Sequence, residues 1–294
     1  MAAQAGPDDL GVGVVVLTMG DRPVELTRAL RSVLDQTGPR AEILVIANGV
    51  QAPPVPDGVR TLATPENLGI VGGRDLGWRE LDDELVLFLD DDAWLLSDDV
   101  LGRVRAAFAA DQRLGIVSMR IIDPETGLSS RRHVPRLRAS DPERSSDVTT
   151  FLGGANVMRR AVLDQCGGLP SAFWYGHEET DLAWAALDAG WTIRYDADAV
   201  AGHPTTTPAR HETYYRLNAR NRVWLARRRL PAPLVVAYLG VWTALTVVRV
   251  RDLRSLRVWG RGFVEGWRSD PGPRRPMRWR TVWRMTRLGR PPVV

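Results

Sequence analysis

The run VGVVVLT at 12–18 carries no charge and is rich in β-branched residues, the pattern of a strand covered on both faces. Such a strand needs helices above and below it, and the chain that follows supplies them. DRPVELTRALRSVLDQ at 21–36 sets Leu26, Leu30, Val33 and Leu34 at helical spacing. A second strand follows in EILVIAN at 42–48, then a helix around 70–81 and a third strand in ELVLFLD at 84–90. Ser97, Asp98 and Asp99 open another helix, with Val100, Val104 and Phe108 in one stripe. LGIVSMRII at 114–122 reads as strand. This alternation predicts a doubly wound α/β sheet with a mostly parallel core. In such sheets ligands bind beyond the carboxyl ends of the strands, where Thr18, Asn48 and Asp90 to Asp92 fall.

Beyond this core the polar stretch 123–147 reads as a loop or hairpin, and FLGGANVMRR at 151–160 as a strand leading into a helix. HEETDLAWAALDAG at 177–190 is a helix ended by Gly190, and WTIRYDADAVAGH at 191–203 is read as two short strands. From about 208 the pattern turns helical and basic. All 39 basic residues are arginine; residues 201–294 hold 20 of them against 4 acids, and residues 1–200 hold 19 against 31. Nine of the 11 tryptophans lie at or beyond Trp174. An acidic front and a basic, Trp-rich tail suggest chemistry at the front and docking to something anionic at the back. The single Cys166 excludes an internal disulfide, and MAAQAGPDDLG lacks the basic start and apolar stretch of a secretory signal. Both fit a reducing cytoplasm.

Asp90, Asp91 and Asp92 follow directly on LVLFL. Three adjacent carboxylates repel one another unless solvent or a cation intervenes. A divalent Mn or Mg ion bridging to a diphosphate meets that need; a solvated acidic turn is the alternative.

With these residues in view, the chain resembles the inverting family 2 glycosyltransferases of the GT-A fold over about residues 11–215. The resemblance implies a nucleotide-diphosphate-sugar donor. It maps the family's Asp-x-Asp onto Asp90, toward the ribose, and Asp92, on the metal. VVVLTMGDRP at 14–23 matches the opening strand and its Thr18. NLGIVGGRDLG at 67–77 puts Asn67, Gly69 and Arg74 on the donor side with Asn48 and Asp91. Gly153 and Gly154 would leave room for the acceptor sugar, although a β-bulge is the other reading of that pair.

HEETDLAWAALDAGW at 177–191 looks like the family's acidic helix start. The resemblance makes Glu179 the catalytic base, with Asp181 second and Glu178 on the acceptor side. A carboxylate is suited to this, because an acceptor hydroxyl is a poor nucleophile until its proton is taken. Acids in a first helical turn are also ordinary capping against the dipole. His203 stands where the family completes its metal site. Three positions depart from the pattern: Ala47 replaces an acid before Asn48, Glu179 is longer by a methylene than the usual Asp, and Ala185 replaces an Arg.

The expected organisation is a catalytic domain over 1–207, with its donor half at about 11–120 and its acceptor half at about 121–207, followed by a basic helical region over 208–294. PAPLVVAYLGVWTALTVV at 231–248 is borderline for a span and reads as an interfacial or re-entrant helix. DLRSLRVWGRGFVEGW at 252–267 sets Leu253, Leu256, Trp259, Phe263 and Trp267 near one face and Arg254, Arg257 and Arg261 on another, as in a helix lying in a headgroup layer. Packing on the catalytic domain is the alternative. Peripheral docking at an anionic inner membrane face would suit a lipid-linked or polysaccharide acceptor. Two other functions compete. A nucleotidyltransferase would need a Gly-rich loop near residue 20, where MGDRP offers only Arg22. A non-catalytic scaffold would use the basic tail to hold an anionic polymer or membrane. No nucleic-acid-binding signature is present and no nucleic acid partner is expected.

Overall fold

The computed structural model describes residues 6–136, 141–204 and 212–293. The strands are β1 Val12–Thr18, β2 Glu42–Ala47, β3 Val59–Ala63, β4 Leu85–Asp90, β5 Trp94–Leu95, β6 Leu114–Ile122, β7 Ser146–Asp147, β8 Ala155–Arg159 and β9 Thr192–Gly202. The helices are α1 Pro23–Leu34, α2 Gly69–Arg79, α3 Val100–Ala110, α4 Arg160–Cys166, α5 Glu178–Ala189, α6 Glu212–Arg229, α7 Ala232–Arg249, α8 Leu253–Arg268 and α9 Trp279–Arg287. They build one sheet in the order β3-β2-β1-β4-β8-β6-β9-β5, with β7 paired to β9.

The first four strands in that order run parallel, β8 lies antiparallel between β4 and β6, and β6 and β9 are parallel again. Strand alternation divides the core as the opening run requires. Val12, Val14 and Val16 face α1 and α3 in one apolar cluster, while Val15, Leu44, Ile46 and Phe88 face α2 and the C-terminal half in another. Helix α2 can lie this close to β1 because it is glycine-rich there. A Cβ at Gly77 would stand 2.4 Å from Val15 Cγ1, and one at Gly73 would stand 2.3 Å from Leu17 Cδ1.

Several local expectations change. The segment 191–203 forms one strand, β9, whose pairing with β6 slips between Met119 and Arg120, so an irregularity replaces the turn between two strands. The segment 123–147 contains a short 3-10 turn at Arg131–His133 and the two-residue β7. The sequence reading lacked β3, β5, β7 and α9, all short. The anticipated boundary at 207/208 lies outside the described residues.

The C-terminal helices share the core of the front half: Val223, Trp224, Leu230, Tyr238 and Met285 join Trp184 and Leu187 in one cluster. This corrects the membrane-facing assignment of 252–267. Trp259 is buried, Phe263 packs on the core, and Gly262 and Gly266 press against the backbone of α6 at Arg216 and Arg220, while Leu253 and Trp267 are exposed. The apolar face of α8 is therefore largely used within the protein. In α7 only Val235, Tyr238 and Leu239 are buried, and among the described residues it is the one helix long and apolar enough to cross a membrane.

Candidate functional site

A cavity of about 470 Å³ opens at the carboxyl ends of β1 and β4. The acidic triplet lies at its floor, because β4 ends at Asp90 and the chain turns there, with Ala93 N donating to Asp90 O at 3.0 Å. Thr18, at the end of β1, is buried and donates from Oγ1 to Asp91 at 2.7 Å, so it orients an acid rather than facing a ligand. Burial pushes Asp91 up to about 6, against the Thr18 bond and the Arg22 charge. Asp92 is held below the usual carboxylate range: burial acts upward, but the bond from His203 and the charges of His203 and Arg22 outweigh it.

His203 Nδ1 lies 2.7 Å from Pro204 O and its Nε2 lies 3.2 Å from Asp92 Oδ1. A carbonyl only accepts, so Nδ1 carries the proton there and a neutral ring turns the Nε2 lone pair toward a carboxylate. A proton or a cation must lie between them. The pKa of His203 is raised accordingly: burial opposes it, but the bond to Asp92 and the charges of Asp92 and Asp90 prevail. Asp90, Asp92 and His203 each offer a ligand atom within 4.8 Å of the others. This N/O donor set is one that would hold Mn²⁺ or Mg²⁺. Two guanidiniums flank the group, Arg22 on Asp92 and Arg74 on Asp90.

The donor-side residues divide into two kinds. Asn67, Gly69 and Arg74 line the cavity. Asn48 also borders it, but its Oδ1 accepts from Leu68 N at 2.8 Å and its Nδ2 donates to Asn67 Oδ1 at 3.0 Å. At 2% exposure Asn48 braces the turn before α2 and has little left for a nucleotide. Gly69, at φ +73°, lies so near Trp174 that a Cβ would stand 2.5 Å from its carbonyl oxygen.

Beside Arg74 and Asp90, Gly153 and Gly154 bring backbone against the acids. A Cβ at Gly153 would stand 2.5 Å from Glu179 Oε1 and 2.8 Å from Arg74 Nη1, and one at Gly154 would stand 2.4 Å from Asp90 Oδ2. This close approach requires glycine and leaves Glu179, Arg74 and Asp90 as neighbours; neither residue forms a bulge in β8. Glu178 is 3% exposed, and its Oε2 has no hydrogen-bond partner among the described residues. Like Glu179, it is not among the residues lining that cavity, and its burial sets it behind the wall, against the acceptor-side expectation. Burial, then the neighbouring Glu179, pushes Glu178 up to about 8. Burial also raises Glu179, against Arg74. Asp181 is corrected as well: it faces away from the cavity, with both oxygens taken by Arg228 and Arg229.

Sequence reasoning missed the residues that hold this acidic turn. Trp174 and His177 have positive φ values of 65° and 73°, a strained state that the surroundings must impose. Asn221 of α6 is fully buried, and its Nδ2 lies 2.9 Å from Phe173 O, 2.8 Å from Tyr175 O and 3.0 Å from Gly176 O. Arg220 Nη2 adds bonds to Ala172 O and Phe173 O at 3.1 and 3.0 Å. Asn221→Asp removes the donor while keeping the shape. The expected result is a fall in kcat of about tenfold or more with donor affinity retained, because the acidic turn shifts and the Asp90 end does not. Single-turnover kinetics beside a donor titration check it; equal loss of donor binding would contradict a role confined to the turn.

Several solved structures share this fold. GalNAc-T7 solved with UDP, GalNAc and Mn²⁺ superposes with a TM-score of 0.63 at 14% identity, covering 87% of this chain and 54% of that one. This chain thus spans about half the length of GalNAc-T7. The mannosyltransferase PcManGT from Pyrobaculum calidifontis, solved with GDP-Man and Mn²⁺, gives 0.53 at 17% identity over 95% of this chain and 84% of that one. Residues 1–349 of S. aureus TarS with UDP-GlcNAc give 0.60 at 14% identity over 87% and 81%. Identities this low establish the shared GT-A type fold. A search of curated proteins finds no match. The sequence model for glycosyl transferase family 2 matches residues 14–167, which run from β1 through the acidic triplet to the end of α4 and make up more than half of the chain, so the chain belongs to that family.

Proposed function

We propose that the chain is an inverting, metal-dependent transferase that moves a sugar from a nucleoside diphosphate sugar to a hydroxyl of a lipid-linked or polysaccharide acceptor. One observation carries this reading. The Asp90–Asp92–His203 group lines one cavity together with Arg74, and the Glu179 carboxylate lies just behind that wall, beside Arg74 and the Gly153–Gly154 backbone. Asp90, Asp92 and His203 would hold Mn²⁺ or Mg²⁺, which when bound supplies charge neutralisation for the diphosphate.

The chain's own groups account for the rest. Glu179 takes the proton from the acceptor hydroxyl as its oxygen attacks the anomeric carbon on the face opposite the departing diphosphate, which inverts that centre. Arg22 and Arg74 stand where negative charge grows on the leaving group and are preorganised by Asp92 and Asp90. Trp174 and Tyr175 border the cavity and offer ring faces to a sugar or base. The short Met19–Arg22 loop has no Gly-rich triphosphate cradle, which weighs against nucleotidyl transfer.

Calorimetry with UDP-, GDP-, dTDP- and CDP-sugars, each with Mn²⁺ and with chelator, tests the reading. Metal-dependent binding of one donor, weakened by Asp92→Ala, is expected. If no donor binds in any condition, the reading is wrong and a non-catalytic scaffold takes its place.

The same proposal places the enzyme peripherally at the cytoplasmic face of an anionic membrane. Support comes from the exposed Val236, Val247 and Val248 of α7, the exposed Trp267, Trp279 and Trp283, and the arginine excess of residues 201–294. Flotation with anionic but not with neutral vesicles is the matching test, and failure to float with either removes this part.

A further inference from the structure

We propose that a second cavity, behind the first turn of α5, is a binding site for a phosphoryl oxyanion. It measures about 110 Å³, and Thr149, His177, Arg222, Tyr238, Trp242 and Arg290 are among its lining residues. None of the lining residues is a carboxylate.

Its chemistry is one-sided. Arg222 is 8% exposed, lies 3.8 Å over the Trp242 ring and donates to the Tyr238 hydroxyl at 3.1 Å. No ion pair joins Arg222 or Arg290 to an acid among the described residues. Burial lowers the pKa of Arg290, and Tyr238 acts against it. Three buried donors of lining residues have no hydrogen-bond partner among the described residues: Arg222 Nε, Trp242 Nε1 and Thr149 Oγ1. The first two can only donate and the hydroxyl can donate, whereas the His177 ring, kept neutral by burial, spends its proton on Asn218.

A buried donor without a partner costs roughly 1–3 kcal/mol, and several around one space point to an occupant that accepts from all of them. Water could satisfy single atoms, but it would leave two partly buried guanidinium charges uncompensated. A multi-oxygen anion answers both needs. The space lies well below the roughly 300–1,000 Å³ typical of organic-ligand pockets, so a tetrahedral oxyanion fits where a sugar or nucleotide does not. Phosphate matches, as the free ion or as the head of a lipid phosphomonoester. The second source has a route to the site, because Tyr238 and Trp242 belong to α7, whose Val236, Val247 and Val248 are exposed. The site also abuts His177, the residue before Glu178 and Glu179, so an occupant would brace the turn that carries them. This inference does not rest on the transferase reading.

The test is calorimetric titration of the chelator-treated full chain with inorganic phosphate. Trp242→Phe, which keeps the ring under Arg222, and Arg290→Gln, at the chain's periphery, probe the cavity. Arg22→Ala controls for binding at the donor site. Saturable binding is expected, weakened about fivefold or more by each cavity variant and unchanged by Arg22→Ala. Thermal melts show whether each variant is folded, and either folded variant suffices. Absence of saturable binding up to about 20 mM phosphate, or binding lost only in Arg22→Ala, overturns the proposal. Dihexanoyl phosphatidic acid below its micelle concentration separates the sources. Binding about tenfold tighter than phosphate with the same variant sensitivity identifies a lipid headgroup, and no gain identifies free phosphate; both uphold the site.

Discussion

Glu179→Gln is expected to lower the transfer rate by about two to four orders of magnitude while leaving metal-dependent donor binding intact. The amide keeps the shape beside Gly153, but it cannot accept a proton. The pH profile gives a second reading of the same carboxylates. Glu178 and Glu179 titrate as a pair, both raised by burial, with Glu178 pushed up to about 8. The rate should therefore rise with pH through a limb above the usual glutamate value of about 4.3, as the base loses its proton. A second inflection at higher pH reports the second ionisation of the pair, which involves the buried neighbour Glu178. Glu178→Gln fixes that neighbour in a neutral form, so the first limb should persist and the inflection should vanish. Full turnover by the Glu179→Gln enzyme would remove Glu179 from the chemistry.

The parts of this site that were legible in the sequence are those whose signal is local. A charge-free strand running into Asp90–Asp92 announces both a buried sheet and an acid cluster beyond its end, and β1, β4 and β6 lie where periodicity places them. Gly153 and Gly154 read as room for an acceptor sugar or as a bulge, and only the fold shows that they let backbone approach Glu179 and Asp90. Long-range roles left no such trace. Thr18 and Asn48 stand at strand ends like ligand-binding residues, yet their hydrogen bonds turn inward. Asn221 sits in a polar helix with no motif to mark it, because its three carbonyl partners lie 45 to 48 residues earlier. The face of α8 was misread because amphipathic spacing reports only that one side is covered. Gly262 and Gly266 were the available clue that the cover is α6 and not lipid.

Asp181→Asn carries the largest expected effect on stability, about 3–5 kcal/mol. The carboxylate is 1% exposed on its side chain and accepts four bonds: at Oδ1 from Arg228 Nε (2.9 Å) and Arg229 Nε (3.0 Å), and at Oδ2 from Arg228 Nη2 (3.1 Å) and Arg229 Nη2 (2.7 Å). An amide in its place turns an NH₂ toward a guanidinium and leaves two arginines without their counter-charge, at the junction of α5 and α6. At roughly 2–4 °C per kcal/mol for a chain of this order, the melting temperature should fall by about 10 °C. Burial acts to raise the pKa of Asp181, but Arg229 and then Arg228 hold it below the ordinary value. A depressed native pKa contributes stability that is complete above the unfolded value of about 3.9 and is lost as pH falls through the lower native one. The wild-type chain should therefore lose this contribution only in strong acid, and the Asn variant should lack that part of the acid dependence. Because Asp181 does not face the cavity, the folded fraction of the variant should keep its kcat at permissive temperature. A variant that melts like wild type but no longer transfers sugar would return Asp181 to the catalytic machinery and leave the Arg228–Arg229 clamp without its structural role.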